Sequence, residues 1–313
     1  MVVGDCYVLA VMALMVVVAR IGSPRLRDWV VSVVSGLAFR LSRAKRRGTE
    51  ATLDRVFGPR LSPRRRRAIA RRVFRTFWID VFSQIPLRGA ARADETELVG
   101  AEHLQGALAA GRGAIVWISN NWAGMSALKR TLHARGFAVH KVHAEHHLGG
   151  FAGFGDTSVQ QRIITPFFDA HESAIVASIV SIKPGSLSVG RELAARLTAN
   201  GIVCISVDGR MGSRFVSHAF LGIPEAFPTG AVSLARTSGA PLLPAFCLPG
   251  PRGAVRVVIE PAIVPQAGLD RDDAVRDVIA RYVERLEYHA RRHPTYYFNW
   301  SLVGAALPPT ASR

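Results

Sequence analysis

The chain has 313 residues, 49% of them hydrophobic, and 40 Lys and Arg against 23 Asp and Glu give it a formal charge of +17. That apolar content excludes a disordered chain, and the length suits one large domain or two small ones around a real core. Cys6, Cys204 and Cys247 are too few and too scattered for a disulfide framework, which fits a reducing compartment.

In chain order, the first feature is an unbroken apolar run, Tyr7 to Ala19, with Asp5 just before it. With the preceding residues it reaches the lower limit of a membrane span, about 17 residues. No positive stretch precedes it and no small-residue cleavage pattern follows, so it reads as an anchor and not as a cleaved signal. Between Arg20 and Arg75 there are 17 Lys and Arg and 3 Asp and Glu, +14 of the total charge. Cations after an apolar run place the basic side, and the remainder of the chain, in the cytoplasm. Trp29, Val30, Val33, Val34, Leu37, Phe39 and Leu41 form an apolar helical stripe flanked by arginines and Lys45. Phe74, Phe77, Trp78, Val81 and Phe82 repeat it after Arg64 to Arg67. Basic amphipathic helices with aromatic residues suit an anionic lipid surface. Arginine runs also pair with nucleic-acid phosphate, but the neighbouring apolar run favours lipid over nucleic acid.

From about residue 100 the pattern alternates. Buried strands are predicted at 114–119, 137–142, 202–207, 241–247 and 255–260, and helices at about 123–134, 189–199, 229–236 and 270–291. The alternation predicts an α/β fold: a mixed, mostly parallel sheet flanked by helices, behind an N-terminal membrane-associated helical region. The expected organisation is an anchor at 1–20, a basic amphipathic helical region at 21–90, an α/β domain at 91–302 and a flexible tail at 303–313. Ligands of such sheets bind beyond the carboxyl ends of strands, here after Ser119, Val142 and Val207.

Several chemistries are missing. The chain has no G-x-S-x-G elbow, no phosphate loop of the G-x-x-x-x-G-K-[ST] type and no G-x-G-x-x-G. His140, His143, His146 and His147 with Glu145 resemble a metal set, and His143-Ala-Glu145 matches half of a zinc-deaminase signature, but no P-C-x-x-C follows. No metal and no cofactor is expected.

A set of segments in order resembles the late acyltransferases of lipid A biosynthesis (lauroyl and myristoyl transferases) and their relatives that acylate phosphatidylinositol mannosides. These segments are Gly100-Ala-Glu-His-Leu, Gly111-Arg-Gly-Ala-Ile-Val, Asn200 to Asp208, Phe220-Leu-Gly222, Pro228 to Ala235, Gly239 to Pro244 and His293 to Trp300. The resemblance, running from about residue 20 to 302, implies a glycerolipid acyltransferase-like fold on the cytoplasmic face of the inner (plasma) membrane. It implies transfer of a fatty acyl chain from an acyl carrier protein or coenzyme A thioester to a hydroxyl of a glycolipid or phospholipid. Membrane lipid and the thioester are the implied partners.

In that family a histidine base and an acid stand as H-x-x-x-x-[DE] after the first strand. The base takes the proton of the attacking hydroxyl and the carboxylate holds the imidazole. Here the register falls on Asn120 with Met125, or on Asn121 with Ser126, and neither pair contains a base or an acid. An amide can orient a hydroxyl but does not take its proton near neutral pH. Three readings stay open. The base has moved, with His140 and Glu145 at the same spacing as one option and His218 as another. Or the chain is a catalytically silent relative that binds lipid or acyl donor. Or it transfers by positioning alone. The resemblance also places Asp208 and Arg210 at a substrate-binding turn, Phe220 and Gly222 at the acyl-donor site, and Arg162 or Arg191 near phosphate. Tyr296, Phe298 and Trp300 read as packing aromatics.

Overall fold

The computed structural model describes residues 3–85, 88, 96–144, 159–182, 188–208, 212–250 and 254–304. Two Ser-Pro pairs start helices in its N-terminal part. Ser23 Oγ accepts from the Leu26 N–H at 3.3 Å and Ser62 Oγ from the Arg65 N–H at 3.4 Å. Each proline then occupies the first helical position, where its missing N–H costs nothing. The four helices are α1 (Val3–Ile21), α2 (Pro24–Leu41), α3 (Arg43–Phe57) and α4 (Pro63–Ser83).

No described helix is long and apolar enough to cross a membrane. Instead α1 turns Val8, Val11, Met12, Met15 and Val18 onto Trp78, Val81 and Phe82 of α4 and Val30 and Val31 of α2. The apolar stripe of α2 is divided between two environments. Val30, Val31 and Phe39 are buried, whereas Trp29, Val33, Leu37 and Leu41, four residues apart, are exposed. The aromatic face of α4, expected at a lipid surface, is mostly inside the protein: Phe74, Trp78, Val81 and Phe82 are buried. Val73 and Phe74 join the core around the sheet and Trp78 and Phe82 join the helical core, so α4 ties the two together.

The remaining elements alternate as the sequence predicts. They are β1 (Leu98–Val99), α5 (Ala101–Ala109), β2 (Ala114–Ile118), α6 (Met125–Ala134), β3 (Val139–Ala144), α7 (Thr165–Ser173), β4 (Ser178–Ile182) and α8 (Ser188–Thr198). Then come β5 (Ile202–Ser206), β6 (Phe215–Phe220), β7 (Ile223–Pro228), α9 (Gly230–Ser238), β8 (Leu242–Pro249), β9 (Val255–Ile259) and α10 (Arg271–Arg292). Seven strands form one sheet in the order β1-β9-β8-β2-β5-β3-β4. Strands β8, β2, β5, β3 and β4 are parallel, and β9 runs against β8. β2 lies near the middle with every residue buried, as its unbroken apolar sequence requires. Burial of side chains the size of Ile115, Val116 and Trp117 stabilises the sheet by about 1.5–3 kcal/mol each.

β6 and β7 form a separate hairpin whose turn puts both Leu221 (φ 57°) and Gly222 (φ 78°) at positive φ. Leucine disfavours that conformation. It is held because Leu221 is buried and its N–H donates to Glu287 Oε2 of α10 at 2.8 Å.

Candidate active site

The carboxyl ends of β2 and β5 meet at Asp208. Its carboxylate accepts from the Asn120 N–H at 2.8 Å, the Asn121 side-chain amide at 2.8 Å, the Asn121 N–H at 3.3 Å and Ser206 Oγ at 2.9 Å, and it also accepts from Ser119 Oγ. With its oxygens so occupied, Asp208 orients the loop at 119–121; it is poorly placed to take a further proton from a substrate. Asn121 Oδ1 accepts from Asn299 Nδ2, and the Phe298 N–H donates to the Asn121 carbonyl at 2.7 Å. Asn120 is the exposed member of the pair.

The rest of the loop is fastened from beneath. Trp122 Nε1–H donates to the Cys247 carbonyl of β8 at 2.6 Å, and the Ala123 N–H to the Tyr296 carbonyl at 2.8 Å. Gly124 (φ 89°) caps α6, and a Cβ there would lie 2.5 Å from Cys247 Cβ, so only glycine fits. The Gly124 N–H donates to Asp80 Oδ1 of α4 at 2.7 Å. Burial lifts the Asp80 carboxyl to about 6, against that bond and the charges of Lys129 and Arg130. Behind α6, Lys129 and Lys141 both pair with Glu172 of α7. Burial alone would raise Glu172, but the two ammonium groups outweigh it and hold the carboxyl at about 2. Burial pushes the Cys204 thiol up to about 12 and the Cys247 thiol higher still, so neither is a nucleophile.

The structure brings together some of the residues singled out from sequence and separates others. Asn120, Asn121 and Asp208 converge, while Met125 and Ser126 open α6. Residues five apart across the loop are Ile118/Ala123, Ser119/Gly124, Asn120/Met125 and Asn121/Ser126, so no register supplies a base and an acid. His140 is the second residue of β3, pairs with Val203, and bonds Ser178 Oγ through Nδ1 at 2.8 Å. It therefore lies at the amino-terminal end of the strands, opposite the edge that carries Asp208, and not at the strand end the sequence suggested. Glu145 and Arg210 lie outside the described residues, as do His146 and His147. His218 faces Glu225 across the β6–β7 hairpin. Phe220 is buried against Tyr297 (5.4 Å between ring centroids), and Gly222 serves the hairpin turn. Arg162 is exposed on a π-helical turn (Gln160–Ile164), and Arg191 is exposed on α8.

Three participants escaped sequence reasoning. Asp80 and Asn299 reach the loop from 44 and 178 residues away, a separation that leaves no local signal. The third is a histidine–carboxylate pair: His289 Nε2 lies 2.9 Å from Glu260 Oε1. Its Nδ1 has no hydrogen-bond partner among the described residues, but the ring is enclosed against Phe246 (4.3 Å) and Trp122 (6.2 Å) and is 6% exposed. It has the chemistry of an oriented base without access to a substrate.

Comparison with known proteins bears on this geometry. Residues 187–300, from α8 through Asp208 to Trp300, match the model of the family described as bacterial lipid A biosynthesis acyltransferase. Phosphatidylinositol mannoside acyltransferases from two strains of Mycobacterium tuberculosis are 29% identical to it over 177 and 178 residues, covering 55% of this chain and 50% of each relative. The chain thus spans about half the length of the curated relatives it matches. The segments after Asn200 that carried the resemblance thus lie within a stretch that is similar to the bacterial lipid A biosynthesis acyltransferases.

Proposed function

We propose that this chain is a lipid-directed acyltransferase of the lipid A or phosphatidylinositol mannoside type. It would move a fatty acyl chain from an acyl carrier protein or coenzyme A thioester to a lipid hydroxyl. The observation that carries the reading is the family match over 187–300, which includes Asp208, the residue that organises the loop after β2. In the reaction the hydroxyl oxygen bonds to the thioester carbonyl carbon, the C–S bond breaks, and the hydroxyl proton leaves with the thiol. Asn120, exposed at the carboxyl edge, would orient the hydroxyl. Without a general base the step forgoes a factor of about 10²–10⁴, so slow turnover is the expectation.

We place the reaction at the cytoplasmic face of the inner membrane. Trp29, Val33, Leu37 and Leu41 of α2, with Val17 and Ile21 of α1, present exposed apolar side chains beside Arg20, Arg25, Arg27 and Arg40. This pattern suits a helix lying on an anionic lipid surface. A second reading, a silent relative that binds lipid or acyl donor, is favoured by the absence of base and acid across the loop at 118–126. Incubating the purified chain with radiolabelled acyl thioesters and a panel of membrane lipids separates the two. Labelled lipid supports transfer; bound but unreacted donor supports the silent relative.

A further inference from the structure

A second feature lies away from the Asp208 loop. An open cleft of about 420 Å³ runs between the end of α1, the chain after α4, and α7, a volume typical of small-molecule sites. Val16, Ala19, Ile85 and Phe167 make its walls apolar, and Arg20, Arg88 and His171 are its polar members. The arrangement is built into the backbone. The Arg88 N–H donates to the Ala19 carbonyl at 2.8 Å, and Gly22 (φ 73°) allows this because a Cβ there would lie 2.5 Å from the Arg88 carbonyl oxygen. His171 is fixed through Nδ1 to the Phe167 carbonyl at 2.8 Å, with its ring 4.6 Å from the Phe167 ring.

His171 also borders a smaller cavity of about 230 Å³, lined by Gln84, Arg130, Ala170, Ala174 and Ile175, which continues the apolar surface along α7. The cation at that far end is already engaged: Arg130 donates to the Ser83 carbonyl at 2.9 Å and faces Asp80. Among the described residues, no carboxylate pairs with Arg20 or Arg88. Arg20 partly offsets the negative end of α1, whose last turn it occupies, and Arg88 adds positive charge beyond that. Apolar walls with two guanidinium groups that pair with no carboxylate among the described residues complement a chain with an anionic head.

We propose that this cleft binds a single-chain anionic amphiphile, its alkyl chain against Val16, Ala19, Ile85 and Phe167 and its carboxylate or phosphate head at Arg20 and Arg88. The site is separate from the Asp208 loop and does not depend on acyl transfer. Calorimetric titration of the full chain with decanoate, decyl phosphate and neutral decyl maltoside, each below its micelle concentration, tests it. Both anions should bind at least about 10-fold tighter than the maltoside, and either order between them upholds the site and identifies the head it takes. Arg20→Gln with Arg88→Gln should bring the anions to the neutral level. Ala19→Phe, which fills the cleft, should abolish binding of all three, with thermal melting confirming that each variant is folded. Equal affinity for charged and neutral probes, no binding, or binding unchanged by Ala19→Phe would overturn the proposal.

Discussion

Replacing Asn121 by histidine bears most directly on the proposal that the loop at 118–126 lacks a general base. Asn121 Nδ2 donates to Asp208 Oδ2 at 2.8 Å. The imidazole Nδ1 branches from Cγ as Nδ2 does, so Asn121→His lets Nδ1–H make the same bond. The ring's Nε2 then projects past the carboxylate with a free lone pair, the arrangement of an oriented general base. The substitution removes the acceptor for Asn299 Nδ2, a stability cost of about 1 kcal/mol. The expected gain in transfer rate is about 10²–10⁴-fold, or about 3–5 kcal/mol of barrier. The assay is the initial rate of labelled acyl transfer against pH, where the variant should acquire a limb near the ordinary histidine value of about 6.5. Adding Asp208→Asn should remove most of the gain. A folded Asn121→His variant that transfers no faster than the native chain refutes the view that the lost base limits this site.

Four further outcomes are expected. Asp208→Asn replaces an acceptor-only group with one that turns an N–H toward donors, and should lower unfolding stability by about 1.5–3 kcal/mol in urea titration. Asp80 is raised from 3.8 to about 6, so the folded state binds more protons than the unfolded one in that window. Native stability should therefore fall, by at most about 3 kcal/mol, as pH rises from about 4 to 6, and melting curves of Asp80→Asn should lack that fall. The depressed Glu172 acts oppositely and lower, its contribution disappearing as pH drops from about 4.5 to 2. Changing Trp29, Val33, Leu37 and Leu41 to serine should weaken binding to anionic vesicles at least about 10-fold in sedimentation, with little change in melting temperature, because all four are exposed.

The parts of this fold legible in the sequence are those whose causes are local. β2 and β5 show as apolar runs bounded by Gly113 and Gly201, and α6 and α8 end where Gly136 and Asn200-Gly201 stop them. The predicted strand at 137–142 starts two residues late in the structure, at Val139, because apolar Phe137 belongs to the turn from α6. The β6–β7 hairpin was hidden by a Leu221-Gly222 turn whose left-handed leucine is held by Glu287, a contact 66 residues distant. The apolar run at 7–19 reads as an anchor because an apolar sequence cannot name the partner that covers it; in the structure α2 and α4 cover one face. At the site, strand ends drew attention to Asn120, Asn121 and Asp208, which the fold joins by hydrogen bonds. The bonds from Asp80 of α4 to Gly124 and from Asn299, after α10, to Asn121 join segments that only the assembled fold brings near.

We propose that the native chain transfers acyl groups to lipid, slowly, on a loop that Asp208 orders. Single-turnover incubation of the full chain with a radiolabelled long-chain acyl thioester and phosphatidylinositol mannosides, followed by lipid extraction, tests it most directly. Labelled lipid should accumulate above the protein-free rate, and Asp208→Asn should abolish that accumulation. Donor that binds yet yields no labelled lipid at any protein concentration contradicts it.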